Sequence, residues 1–529
     1  MLTGGFQTPG DLAHPTRLLE SISKPSRPTQ SADATAAEGN NNDDNLHLLL
    51  PATGGDVDLC KTLLTANVLG YPTPGLLAWN ETYSHPNQMA GGSHLAKVFR
   101  VLDYLEALKP SQDSDLVLMV DAYDIWFQLR PDIMIERFHA INKVADERNS
   151  RRMGSAIPVK EFEQKVIFGA GKRCAPNQLH TMACYAIPES PLPADLYGGD
   201  TDTVVGRNKY TSHRQRYLNS GYIIGRVSDV RKLFRAAADE IKNTPDHIEK
   251  MDNGSGGSDF LYHGSDQSIF NTLMGRQEYH REAIRRAHGT QIASSTGRRQ
   301  AKSNRKRRRT ATESPDASAL KIEGTYVSDP LNPSFTHETP EASFDPLDQR
   351  HEFGIGLDYF SDLGHQTVNA ETDAKWLRFD TTPLDTDFPR RNRFDCAPRV
   401  HKSSALADIT RTKAPFADVA PSTSSGGSRG DEQQQAATWE TIPLYTNLCL
   451  GRVPVIVHHN GDKAARGYSW DDMWFQSRSR EMLQARFATQ NKDEDGEIKQ
   501  NIDGTIAWTD KGDSLSWNGL CGAYNDQLW

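Results

Sequence analysis

The sequence predicts an α/β fold, and three observations carry that expectation. Leu46-His47-Leu48-Leu49-Leu50-Pro51 is a short apolar run that ends in a Gly54-Gly55-Asp56 turn, and DLCKTLLTANVLGY beyond it has helical apolar spacing. Leu116–Val120 is an unbroken apolar run, the mark of a strand buried on both faces of a sheet. Residues 165–170 (KVIFGA) and 451–457 (GRVPVIV) are further strand-like runs that stop at polar segments.

Taken in order, residues 1–45 are rich in Ser, Thr, Pro, Asn and Asp and read as a disordered leader, so order begins at Leu46. A strand at 75–79 precedes the loop Met89-Ala90-Gly91-Gly92-Ser93-His94 and a helix over 95–108. Gly91 and Gly92 ahead of a helix bearing Lys97 suit a phosphate cradle, and equally an ordinary helix cap. The stretch 114–131 (SDLVLMVDAYDIWFQLRP) then runs a buried strand into Asp121 and Asp124. Ionised carboxylates beside such a strand are costly unless a cation compensates. Ligands of α/β proteins bind at the carboxyl ends of strands. A divalent metal holding an anionic substrate satisfies both statements.

A helix over 132–142 follows, then residues 216–225 (RYLNSGYIIG), in which an Asn-Ser-Gly turn separates two apolar pieces ahead of a helix over 227–242. Glycines there let a ligand approach the backbone, or mark a hairpin. Residues 252–258 (DNGSGGS) read as a flexible insert, and Asp266 as the N-terminal cap of the next helix. From about 286 to 318 the pattern dissolves into low complexity around Arg305-Lys306-Arg307-Arg308-Arg309, read as a solvated surface loop. A second unstructured insert covers 421–435, with the domain resuming between them at 353–359 and 374–379. The strand at 451–457 ends in His458-His459-Asn460-Gly461-Asp462-Lys463, where an imidazole can hold a metal, Asn and Gly can donate to phosphate, and Lys supplies charge. The remainder, from about 476, should wrap the domain as a tail.

Composition narrows the function. The 529 residues suit several domains or one large α/β domain with inserts, and 36% hydrophobic content with a mean hydropathy of −0.64 implies that part of the chain does not pack. A net charge of −9 argues against nucleic-acid binding. No run approaches the roughly 18 apolar residues of a membrane span, and the N-terminus lacks the apolar core of a signal peptide. Six scattered cysteines without a CxxC argue against a disulfide scaffold and a structural zinc site; their pairing is open, and Cys174 and Cys184, bracketing a short loop, are the best candidates for one bridge if the compartment is oxidising. Two Asn-x-Ser/Thr sequons, at Asn80 and Asn253, are compatible with secretion.

Two strand ends thus supply carboxylates (Asp121, Asp124) and an imidazole (His458), a set that suits Mn²⁺ or Mg²⁺. A metal neutralising a diphosphate serves glycosyl transfer from a nucleotide-sugar, or phosphohydrolysis when water attacks phosphorus.

The order GGSHLAK, LVLMVDAYDIWF, VIFGAGKRCAPN, RYLNSGYIIG, SDQSIF and VHHNGDK resembles the glycosyltransferase domain of the procollagen lysyl hydroxylase and collagen galactosyltransferase group, and most the fungal proteins with that domain. The resemblance covers about 46–280 and 350–475. It implies a GT-A-like fold, a nucleotide-sugar-binding domain with a mixed central sheet, and transfer of a hexose from a UDP-sugar to a hydroxyl on a protein or glycan. It implies Asp121, Asp124 and His458 as metal ligands and Lys97 near the nucleotide. Asn219 and Ser220 would line the donor sugar, and Asn460 and Gly461 would lie beside the diphosphate, with Lys463 near by as the source of charge read from the residues themselves. Asp266 would be the sugar or acceptor contact and candidate base. Two departures stand out: Gly264-Ser265-Asp266 lacks a neighbouring carboxylate, and His459 replaces an expected glycine. No hydroxylase domain follows, so lysine hydroxylation is not implied. The family works in the secretory pathway, whereas no signal or anchor is visible, which leaves localisation open. A degenerate domain that binds without turnover is the reading from a different class.

Overall fold

Strand β3 (Leu116–Val120) is buried at every residue, and the architecture grows outward from it. It pairs in parallel with β1 (Leu46–Pro51), which pairs in parallel with β2 (Gly75–Leu77). On its other side lies β6 (Tyr217–Arg226), antiparallel, followed by β5 (Val166–Gly171) and the edge strand β7 (Ile355–Asp358). With β12 (Thr505–Thr509) and β13 (Ser514–Ser516) the sheet has eight strands in the order β13-β12-β2-β1-β3-β6-β5-β7. The fold is therefore α/β, with a large mixed central sheet. This computed structural model describes residues 45–85, 88–154, 159–177, 179, 181–204, 208–243, 264–303, 350–382, 395–419, 437–490 and 503–529, of which 159, 287–303 and 489–490 are described by their backbone alone. All lie in the unit Asp43–Trp529.

Alternation along β1 and β3 sends Leu48, Leu50, Leu116 and Leu118 to one face and Leu49, Val117 and Met119 to the other. Helices α1 (Val57–Val68) and α3 (Pro131–Met153) cover the first face. Helix α2 (Ser93–Ala107), α5 (Val227–Asn243) and α6 (Asp266–Ser303) lie toward the second, and the short α4 (Met182–Tyr185) packs on α6. Helix α1 begins where Asp56 caps it by accepting the Leu59 N–H at 2.8 Å. Gly91 and Gly92 both adopt left-handed backbone ahead of α2, which accounts for the Gly-Gly pair by conformation alone.

Strands β9 (Ala374–Leu377) and β10 (Leu444–Asn447) pair antiparallel in a sheet of two, and a further, three-stranded sheet determines the site. Strand β11 (Ile456–His458) pairs antiparallel with β4 (Ile125–Phe127) and parallel with β8 (Gly364–Gln366), so His458 stands opposite Ile125 and Gln366. Because β4 starts directly after Asp124, this register carries His458 to the acids.

Several expectations shift. Asn219-Ser220-Gly221 does not break the chain into two pieces: β6 runs through it, with a register shift opposite Phe168 and Gly169 absorbing the irregularity. Strand β11 starts only at Ile456, because Pro454 has no N–H for a ladder. Helix α6 continues to Ser303, into the stretch expected to be a loop. The C-terminal stretch does more than wrap, since it supplies β12 and β13 to the main sheet and is tied to α1 by the Cys60–Cys521 disulfide. Cys174–Cys184 is bridged as expected, and Cys396 pairs with Cys449. The leader to residue 44 and the inserts at 252–258, 304–318 and 421–435 lie outside the described residues. No helix among the described residues is long and apolar enough to cross a membrane.

Candidate metal centre

Asp121 follows the last residue of β3, and its N–H donates to the Gly221 carbonyl of β6 at 2.8 Å. The His459 N–H donates to the Asp124 carbonyl at 2.7 Å, locking the loop between the acids to the end of β11. Between them, the Tyr123 hydroxyl donates to Gly54 O (2.9 Å) and anchors the turn after β1. Asp121, Asp124 and His458 each bring one ligand atom within 4.8 Å of the others.

The two carboxylates are divided in the same way. Asp121 Oδ1 meets Lys97 Nζ at 2.8 Å, while its Oδ2 lies 3.9 Å from His458 Nε2. Asp124 Oδ2 meets Arg466 Nη2 at 3.5 Å, while its Oδ1 lies 3.4 Å from His458 Nε2 and is buried without a hydrogen-bond partner among the described residues. Each outer oxygen is thus held by a cationic side chain, and each inner oxygen faces the imidazole. Neighbouring and opposite ligands around a cation with bonds of about 2.1 Å stand about 3 to 4 Å apart, and these separations match that spacing. The orphaned Asp124 oxygen and the hard donor set both fit a divalent cation.

Lys97 also meets Asp266 Oδ2 at 2.8 Å, and His94 Nδ1 lies 3.4 Å from Asp266 Oδ1. Burial works to lower the Lys97 ammonium, but the Asp121 and Asp266 charges override it and raise the group above its ordinary value. Burial likewise works to raise Asp266, yet Lys97 and His94 hold its carboxyl far below the usual range. For Asp124 burial again pushes upward, and the charges of His458 and Arg466 hold it at about 2. His459, buried against Trp126 with ring centroids 4.0 Å apart, is driven down to about 3 by burial and by Arg466.

Asn219 Nδ2 donates to Gln267 Oε1 at 2.8 Å, and the Ser220 N–H reaches the same oxygen at 3.3 Å. Gln267, next to Asp266, therefore joins the first turn of α6 to β6. Asn460 is engaged on both sides, accepting from Val368 N–H (3.0 Å) and donating to Gln366 (3.2 Å), and the Gly461 N–H donates to Thr367 Oγ1 (3.0 Å). These two residues hold the loop after β11 to the loop after β8. Lys463 lies exposed on that loop, outside the linked cluster.

The structure therefore joins Asp121, Asp124, His458, Lys97 and Asp266 in one network. Arg466 went unrecognised in the sequence. It reaches Asp58 (2.9 Å), the carbonyls of Tyr123 and His459, and Asp124. Nothing in ARGY signals this, because every partner is distant in sequence or a backbone carbonyl. His94 and Gln267 did lie in motifs already singled out, one beside Lys97 and one beside Asp266. No protein-family model matches the chain, and a search of the curated proteins returns no match.

Proposed function

We propose that the chain is a metal-dependent glycosyltransferase that moves a hexose from a UDP-sugar to a hydroxyl on a protein or glycan. The observation that carries the reading is the pair of inner carboxylate oxygens facing His458 Nε2 at the carboxyl ends of β3 and β11. The motif order described above supports it independently. Bound there by Asp121, Asp124 and His458, Mn²⁺ or Mg²⁺ would supply charge neutralisation that makes a diphosphate a better leaving group.

The chain's own residues do the positioning. Lys97 and Arg466 fix the outer carboxylate oxygens, so the inner pair is oriented before any ligand arrives. Lys463, exposed on the loop after β11, is free to turn its ammonium toward a diphosphate. Asn219 and Gln267 offer a carboxamide pair for sugar hydroxyls beside Asp266. Asp266 itself is buried, paired twice and acidic, which suits holding Lys97 better than taking a proton. That feature favours, as a second reading, a domain that binds its donor without turnover. Three paired sets of cysteines suit an oxidising compartment, and the secretory pathway is part of the proposal.

The test combines thermal shift with turnover. Stabilisation by UDP only when Mn²⁺ or Mg²⁺ is present, with UDP released from one UDP-sugar, supports the transferase. Metal-dependent binding without release from any sugar or acceptor moves the conclusion to the second reading. Asp124→Ala should abolish metal-dependent UDP binding; unchanged binding would overturn the ligand assignment.

A further inference from the structure

At the far edge of the sheet, between the C-terminal half of α3, the first half of α6 and strand β7, lies a cavity of about 220 Å³. Strand β7 is three strand spacings from β3, about 14 Å, and no residue lining the cavity belongs to the metal centre. Met274, Ile355 and Leu357 form apolar parts of its wall, while Arg148, Arg151, Arg152 and Arg281 supply four guanidinium groups. Spacing on α3 explains three of them, since positions 148, 151 and 152 share one helix face.

The four are not equivalent. Arg281 is fully committed: its Nε and Nη2 meet Glu352 at 2.7 and 2.6 Å, and its Nη1 meets Glu278 at 3.0 Å. Arg152 is committed on one side only. Its Nη1 donates to Glu278, whereas Nε and Nη2 are buried with no hydrogen-bond partner among the described residues. Those two atoms form the edge of a guanidinium that grips a carboxylate or phosphate with two parallel hydrogen bonds. Buried donors left unanswered are costly, so a missing acceptor is the economical explanation. Arg148 stacks over the Tyr359 ring at 5.4 Å, and Arg151 is exposed at the mouth. Two carboxylates line the cavity as well. Glu278 is already neutralised by Arg152 and Arg281, and Glu189 is exposed at the rim.

We propose that this cavity is a second ligand site, which takes a small phosphate-bearing anion on the unpaired Nε/Nη2 edge of Arg152 once the guanidinium turns that edge into the void, with Arg148 and Arg151 supplying charge at its mouth. The volume is below that of a drug-sized pocket and suits a phosphate ion or a small phosphate ester. The ester's body would rest on Met274, Ile355 and Leu357.

The experiment uses the full chain in EDTA at fixed chloride concentration, with inorganic phosphate and glucose 6-phosphate as probes, read by calorimetry and thermal shift. Both probes should bind, and tighter binding of the ester would identify an organic phosphate as the better occupant. Arg152→Lys, which retains the charge opposite Glu278 but removes the two-pronged edge, should weaken binding about tenfold or more. Arg148→Gln, at a residue with no part in that ion pair, should weaken it severalfold and decides the matter if the first variant does not fold. Asp124→Asn should leave binding unchanged. Absence of binding to the wild type, binding that survives both arginine substitutions, or loss on Asp124→Asn would each overturn the proposal.

Discussion

Gly221→Ala tests the geometry of the proposed metal centre most directly, although Gly221 is not itself one of the proposed ligands. The His458 ring lies against Gly221 so closely that an added Cβ would fall 2.5 Å from Nδ1 and 2.8 Å from Nε2, nearer still to Cε1. Ordinary contact begins at 3.4 Å, so the ring must recede by roughly 1 Å. Its Nδ1 has no hydrogen-bond partner among the described residues, and the strand pairing fixes only its backbone. Packing on Gly221 is therefore what registers the ring. Metal–ligand distances tolerate about 0.2 Å, so a displacement of this size should cost about 10- to 100-fold in Mn²⁺ affinity. The Gly221 carbonyl also accepts the Asp121 N–H, and a shift of β6 would disturb a second ligand. Overpacking should cost about 1–3 kcal/mol of stability. Calorimetric Mn²⁺ titration with UDP present measures the first effect, and urea unfolding in EDTA the second. Gly199→Ala is the control, since its Cβ meets nothing within 4 Å. Wild-type Mn²⁺ affinity in Gly221→Ala would refute the reasoning.

Two further outcomes follow from the same network and from the buried histidines. Lys97→Met leaves Asp266 buried and without its main counter-ion; breaking such a pair costs about 3–5 kcal/mol, and urea unfolding at pH 7 should register a loss of that order, whereas a loss under about 1 kcal/mol would mean the pair contributes little. Burial drives His365 from 6.5 down to about 4, so the unfolded chain takes up a proton below pH 6.5 that the folded chain refuses until about pH 4. Stability should therefore fall on acidification through that window, by about 2 kcal/mol between pH 7 and pH 5 from this residue alone. His365→Gln should lose correspondingly less over the same interval in EDTA, and parallel losses in the two proteins would exclude His365 as the source.

The strands were legible wherever burial on both faces left an unbroken apolar run, as at Leu116–Val120, because no polar residue competes with that reading. Helix α6 was misjudged beyond residue 286 because its Arg, Ser and Gly residues carry no apolar stripe to mark a helical period. The C-terminal strands were missed because Thr505–Thr509 and Ser514–Ser516 are short and gain their place by pairing with β2 and with each other. Such pairing has no local signature. The site divides in the same way. Asp121, Asp124 and His458 could be picked out as residue types at strand ends, but their convergence depends on β11 pairing with β4 in one register.

That register also explains why Arg466 and Gly221 had to be found in the structure. A ligand announces itself by its chemistry, whereas the groups that aim it are chosen by position. Lys97 and Arg466 each occupy an outer oxygen and so leave one inner oxygen on each acid facing the same imidazole. If either cation were lost, its carboxylate could rotate and present either oxygen, and the alignment would have to be recovered during binding. Orientation before ligand arrival is what these two side chains contribute, and it is a property of three distant chain segments rather than of the Asp-x-x-Asp motif alone.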